Sequence, residues 1–267
     1  MRDEAEYKDD VGAVDLGARR GRDAAGVIEI LPVEGLPEVK AGDDLAGLIL
    51  GAFELRTGDV VCIAQKIVSK AEGRVVRLAD VDPARDAIEL AGRDGDPRRL
   101  EVILSESTRV VRSRPPLVIA ETAHGFVCAS AGVDASNAPE PDSVVLLPED
   151  PDASAARIRH EIRLRTGQHV GVIVTDTFGR AWRVGITNVA IGSAGIEVLR
   201  DYSGQLDPAG YELHSTVVAI ADEIAAAAEL VMGKTDRIPV AIVRGLAVEG
   251  HGSAKDLVIS PEHDLFR

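Results

Sequence analysis

A chain of 267 residues with 45 % apolar content can build one large domain or two small ones; with aromatics at 3 %, its core must come from Val, Ile, Leu and Ala. A formal net charge of −14 argues against a general nucleic-acid or anionic-membrane surface, while leaving room for a local basic pocket. No apolar run approaches the roughly 20 residues that span a bilayer, and the acidic start lacks the apolar centre of a secretion signal, so a cytoplasmic protein is expected.

Residues 1–26 are polar and aperiodic and read as a disordered acidic leader, followed by the body of the protein over 27–267. Val27 to Leu31 predicts a first strand, and Pro32, Gly35 and Pro37 a loop. Asp43 is placed to cap a helix carrying Leu45, Leu48, Ile49, Ala52 and Phe53. Strands are expected at Val60–Ala64 and Arg74–Leu78, with charged helical segments over 83–107 broken at Gly95 and Pro97. Leu117–Ala120 and Phe126–Ala129 read as a hairpin, Ala131–Asn137 as a loop and Val144–Leu147 as a strand. Asp152 or Ser154 can cap a helix through Leu164 that stops at Gly167.

Val170–Val174 predicts a buried strand, after which Thr175 to Arg183 read as a loop. Ile186–Ile191 and Ile196–Tyr202 follow as strands around Gly192 and Gly195. Leu213–Met232 is expected to be the longest helix, with His214 near its start and Asp222, Glu223 and Glu229 on its solvated face; Pro239–Val243 is a late strand. Strands run consecutively in places and alternate with helices in others, which favours an α+β fold over a doubly wound sheet. No GxGxxG follows the first strand and no GxxxxGK(S/T) occurs, which disfavours Rossmann and P-loop nucleotide binding. Cys62 and Cys128 lie in separate apolar runs and are expected as buried thiols; the six scattered His show no zinc spacing.

Three clusters could carry chemistry. Gln65 to Arg74 follows a strand and holds Lys66 and Lys70, whose ammonium groups suit phosphate. Ala131 to Asn137 offers Asp134 and Asn137 among small residues that let backbone approach a ligand. Val172 to Arg183 runs from apolar residues into Asp176, Thr177, Arg180 and Arg183, a carboxylate and hydroxyl for a hard cation beside two guanidinium groups for phosphate or carboxylate. Each alone also reads as a turn decorated with charge. Together they make a kit for a metal–nucleotide enzyme. His124 fits a structural hydrogen-bonding role better than a base, and Arg244 offers no argument for function.

At these residues the chain resembles the coenzyme F420:L-glutamate ligase family. The matching blocks are LPVEGLPEV (31–39), AQKIVSKAEGR (64–74), HGFVCASAGVDASN (124–137), VTDTFGRAWRVGITNVAIG (174–192) and VAIADEIAAAAELVMGK (218–234), and the likeness extends to the closing DLFR. The resemblance implies a two-lobed α+β homodimer with its site in a groove. It also implies GTP-dependent joining of L-glutamate to the phospholactyl carboxylate of the deazaflavin precursor through an acyl phosphate, with further γ-linked glutamates as an extension. Magnesium or manganese is the implied divalent ion, with potassium a candidate monovalent one. By motif, Asp134, Asp176 and Thr177 are the expected metal ligands, and Leu36, Pro37, Glu38, Val39, Gln65, Lys70 and Asn137 the expected nucleotide contacts. Charge and position add Lys66, Arg180 and Arg183 as expected catalytic groups. The chain departs from the family pattern at Ala123, where many members have a basic residue, and at Ser130, where many have Asn.

Overall fold

A computed structural model describes residues 26–265; the expected leader lies almost wholly outside them. In chain order the elements are β1 (Glu29–Pro32), α1 (Leu45–Ala52), β2 (Val60–Ala64), α2 (Gln65–Ala71), β3 (Val75–Arg77), α3 (Arg85–Ala91), α4 (Pro97–Ser105) and β4 (Ser107–Arg114). They continue as β5 (Leu117–Thr122), β6 (Val127–Ala129), β7 (Ser143–Val145), α5 (Pro151–Thr166), β8 (Gly171–Arg180), β9 (Arg183–Ala194), β10 (Arg200–Asp201), β11 (Val217–Val218), α6 (Ile220–Met232) and β12 (Val240–Arg244). The fold is α+β, as expected.

The central sheet has the order β1-β12-β2-β8-β9. Its pairs are antiparallel except β2 with β8. The middle strands read as unbroken apolar runs because both faces are covered. Val61, Ile63, Val172, Val174 and Ile242 face one cluster with α1, α2 and α5; Val60, Cys62, Ile173, Ala241 and Val243 face another with α6. The alternation is the period-two geometry of a strand.

The chain between α2 and α5 forms a second lobe. The two-stranded β3–β7 sheet, the β4-β5-β6 sheet, α3 and α4 enclose a separate cluster around Leu100, Ile103, Val118, Val144 and Leu146. β4 was not expected: its residues Ser-Thr-Arg-Val-Val-Arg-Ser-Arg are mostly exposed, so no burial pattern announces it, and pairing to β5 makes the strand.

Several expectations are corrected. The first helix is capped by Asp44, which accepts from Gly47 N, while Asp43 accepts from Lys40 N in the preceding turn. The cap of α5 is Asp150; Asp152 instead accepts from Ser193 N, Ala254 N and Ser253 Oγ, tying the helix to β9 and to the C-terminal turn. α5, with 16 residues, exceeds the 13 of α6, which starts at Ile220 because Val217-Val218 take strand geometry before the alanine-rich stretch. His214 therefore lies outside the helix, edge-on to Tyr211. Ile196–Tyr202 is not a strand beyond a bridge at Ile196 and the two residues of β10.

The largest correction concerns 175–183. The expected loop is strand: β8 runs on through Thr175, Asp176 and Thr177, turns at Ala181-Trp182 and returns as β9. Thr175, Thr177 and Phe178 are good strand formers, no proline interrupts them, and β9 supplies the ladder. Val174 pairs with Gly192 but Thr175 with Ala190, so Ile191 is an extra residue, a bulge where the buried half of the hairpin meets the open half.

Candidate functional site

The two expected carboxylates arrive from different lobes. Asp176 comes from β8, on the same face as Val172 and Val174. Asp134 is at the edge of the second lobe, where its backbone pairs with Val145. The turn before it is unusual: Ser130, Ala131 and Gly132 have φ of 55°, 50° and 74°. Gly132 is required twice over, since a Cβ there would meet Leu147 side-chain atoms at 2.6 Å.

Lys66, the second residue of α2, joins the lobes. Its ammonium contacts Asp134 Oδ2 at 2.7 Å and donates to Ser136 Oγ at 2.6 Å. Ser136 N–H donates to Asp134 Oδ1 at 2.7 Å. Burial pushes the Asp134 carboxyl up, but Lys66 and the Ser136 N–H outweigh it and hold it below its usual range. Asp176 goes the other way. Burial lifts it to about 7; the Thr177 N–H and Lys66 oppose that, and the charge of Asp134 adds to it. The carboxylates thus feel each other. Cys128 is part of the same surround: burial, then the Asp176 charge, push its thiol up to about 12. Both cysteines are buried free thiols, as expected.

Thr177 turns its hydroxyl to the opposite face from Asp176. It donates to Asn188 Oδ1 at 2.7 Å and accepts from Lys234 Nζ at 2.6 Å. Asn188 is its direct cross-strand partner. Lys234, just past the end of α6, also pairs with Glu229 and acts on Asp176, lowering its pKa. Sequence reasoning missed Lys234 and Asn188, although both lie in the blocks that carried the resemblance. Glu229 is accordingly no solvated residue, and Asp222 accepts from Ala190 N at 2.9 Å, its carboxyl raised by burial.

Two carboxylates whose charges oppose each other, with the Ser136 hydroxyl on Asp134, suit a hard cation that takes one or two carboxylates and completes its shell with phosphate and water; the Thr177 side chain, on the other face of β8, is not brought to them. Among the described residues no group of three His, Cys, Asp or Glu could form a cage alone. The fit is therefore to an ion shared with a substrate.

The expected nucleotide contacts divide. Glu38 accepts from Lys70 Nζ at 2.5 Å, so the loop after β1 is fastened to the end of α2. Val39 is buried and Leu36 packs against the same cluster, while Pro37 is exposed. Gln65 is buried; its Oε1 accepts from Ser69 Oγ at 2.8 Å, while Nε2 has no partner among the described residues. Asn137 is exposed at φ 56° in the Asp134 loop.

Arg180 and Arg183 are not brought to the carboxylates within this chain. They face each other across the hairpin tip, four or more residues beyond Asp176, roughly 13 Å at strand rise. Arg180 Nη2 donates to Val184 O at 3.2 Å. Around them Trp182 and Val184 are 86 % and 100 % exposed. His124 bears out its structural reading: Nε2 contacts Pro148 O at 2.9 Å and its ring stacks on Phe126. Arg244 gains a role the sequence did not show, a two-pronged bond to the buried Asp59 at 2.7 and 2.8 Å, at the other end of β2 from Lys66.

The chain is similar to known proteins over most of its length. Residues 35–245 match the family model described as F420-0:Gamma-glutamyl ligase. The chain is 49 % identical over 247 residues to a protein named coenzyme F420:L-glutamate ligase from Methanopyrus kandleri, covering 90 % of this chain and 97 % of that relative. It is 45 % identical over 242 residues to the protein of that name from Archaeoglobus fulgidus, covering 90 % and 96 %. Identity to the one from Methanothermobacter thermautotrophicus is 43 % over 250 residues, covering 90 % and 99 %.

Proposed function

The chain belongs to the F420-0:gamma-glutamyl ligase family, and on that premise we propose that it joins L-glutamate to the deazaflavin coenzyme F420 precursor in a GTP-dependent reaction. The phospholactyl carboxylate takes the γ-phosphoryl group of GTP, giving an acyl phosphate and GDP. The glutamate amine then attacks the acyl carbon and phosphate leaves, so that one anhydride bond is lost and one amide formed. Further γ-linked glutamates would repeat the cycle on the new carboxylate.

The observation that carries this reading is the meeting of Asp134 and Asp176 from two lobes, with Lys66 and Lys234 beside them. Asp134 and Asp176 would hold magnesium or manganese, while the Thr177 hydroxyl, on the other face of β8 and bonded to Asn188 and Lys234, would not join them. Such an ion, when bound, neutralises phosphate charge and polarises the transferred group. Lys66 fixes Asp134 and adds positive charge where triphosphate oxygens gather. Lys70 and Glu38 hold the β1–α1 loop at the same end of β2, a support for the nucleotide. Phosphoryl transfer asks for alignment and charge neutralisation more than for covalent help, which this residue set supplies.

We assign Arg180 and Arg183 to the hairpin tip rather than to the carboxylates of their own chain. In a homodimer, which we also propose, a tip could serve the groove of the partner. The test is incubation with GTP, Mg²⁺ or Mn²⁺, L-glutamate and the unglutamylated precursor. Glutamate addition by mass, with stoichiometric GDP, is expected. GDP release that requires a different acid would transfer the reading to another substrate, and no nucleotide turnover with any acid would end it.

A further inference from the structure

The extra residue that Ile191 adds to β9 is held from both faces of the central sheet. β9 is an edge strand, so some of its backbone N–H groups have no strand to donate to. On one side of the bulge the Ser193 N–H donates to Asp152 Oδ1 at 2.8 Å. On the other the Ala190 N–H donates to Asp222 Oδ1 at 2.9 Å. Asp152 stands in the first turn of α5 and Asp222 in the first turn of α6, and these helices pack on opposite faces.

The two acids differ in what else they hold. Asp152 also accepts from Ser253 and Ala254, so it has a task in fastening the C-terminal turn. Among the described residues Asp222 accepts from Ala190 alone. Its carboxyl is half-buried, and burial raises its pKa against the pull of that single N–H. Taking a carboxylate partly out of water for one hydrogen bond is costly, so packing alone does not account for it. What the bond holds is the restart of the ladder after the bulge. Ala190 is matched to Thr175, and the next pair is Val189 with Asp176. Fixing Ala190 therefore fixes where Asp176 stands. We propose that Asp222 is a positioning residue for Asp176, acting through the Ala190 N–H and the bulge. The inference rests on the reading of Asp134 and Asp176 as the pair that holds a divalent ion.

A bond that served stability alone would be lost in the same variants, so the test reads metal affinity beside melting temperature. Mn²⁺ is titrated into the whole protein, with and without a non-hydrolysable GTP analogue, and free Mn²⁺ is followed by electron paramagnetic resonance. The variants are Asp222→Ala, Asp222→Asn and, as a control on the same turn, the exposed Glu223→Ala. Asp222→Ala should weaken Mn²⁺ binding about tenfold, as expected for a group that orients a ligand without touching the metal. Asp222→Asn keeps an oxygen for the Ala190 N–H and should recover most of the affinity, and Glu223→Ala should change nothing. Amide hydrogen exchange on the unaltered protein serves if Asp222→Ala does not fold: by linkage, Mn²⁺ with the GTP analogue should slow exchange at Ala190. A lower melting temperature with unchanged Mn²⁺ affinity in Asp222→Ala would overturn the proposal. So would equal weakening by Ala and Asn, or exchange at Ala190 that ignores the ligands. If the unaltered protein binds no Mn²⁺ under either condition, the reading of the carboxylate pair and this inference fall together; if it binds and the variants bind equally, only the role of Asp222 falls.

Discussion

Two residues of the site are placed at a cost that can be measured. Ser130 stands at φ 55°, a left-handed conformation that Asn tolerates better than Ser. Ser130→Asn should raise stability by a few tenths to about 1 kcal/mol in chemical denaturation; no gain would mean that the strain is relieved elsewhere. Asp176 is the second. Its carboxyl is lifted from 3.8 to about 7, chiefly by burial. Between those values the folded protein holds a proton that the unfolded chain has released. Stability from this group is therefore present at low pH and is lost as pH rises through about 7. Asp176→Asn is neutral throughout. With a chelator at pH 8 it should melt above the unaltered protein, while Mn²⁺ should raise the melting temperature of the unaltered protein alone. Equal stabilisation of both by Mn²⁺ would remove Asp176 from the ligand set.

At the scale of elements, the support of the site lies in how α5 meets β9. A Cβ at Gly192 would stand 2.3 Å from the Pro151 carbonyl oxygen, a backbone atom that cannot swing aside. Gly192→Ala should cost about 1–3 kcal/mol by urea unfolding, the range for overpacking; a near-neutral result would show that the helix start can slide. Such close approaches explain what was legible in the residues and what was not. β2 was read to the residue because five apolar positions end at the polar Gln65-Lys66, where α2 begins, and α5 was read through its Gly167 stop. Lys66 and Asp134 drew notice as candidates because one follows a strand end and the other lies in a small-residue turn, and Asp176 because an apolar run stops just before it, although the strand runs on through it. Lys234 stayed hidden because its meaning depends on Thr177, 57 residues away on β8, and no local spacing encodes that. β8 was cut short for the opposite reason: polar residues were taken as the end of a strand, when pairing to β9 carries the backbone on through them.

At the scale of the molecule, an acidic chain presents an apolar and basic hairpin tip. Trp182, Val184 and Ile186 are exposed there, beside Arg180 and Arg183. Contiguous exposed apolar groups of this kind mark contact surfaces more often than free ones. Light scattering is expected to give a dimer mass, and the triple change Trp182→Ser, Val184→Ser, Ile186→Ser to give a monomer with native circular dichroism; a dimer that survives all three would place the contact elsewhere. No helix among the described residues is long and apolar enough to cross a membrane. The bulge at Ile191 has a consequence for anyone who edits this hairpin. It sets the reading frame of the sheet: before it Val174 is matched to Gly192, and after it Thr177 is matched to Asn188. Residues can be added or lost at Ala181-Trp182 with only the tip affected. Were the ladder to run straight here with every residue kept, Thr177 would be matched to Val189, Asn188 would stand on the other face and Thr177 would lose its acceptor. A graft of this site onto another sheet would have to carry the extra isoleucine along with the ligands.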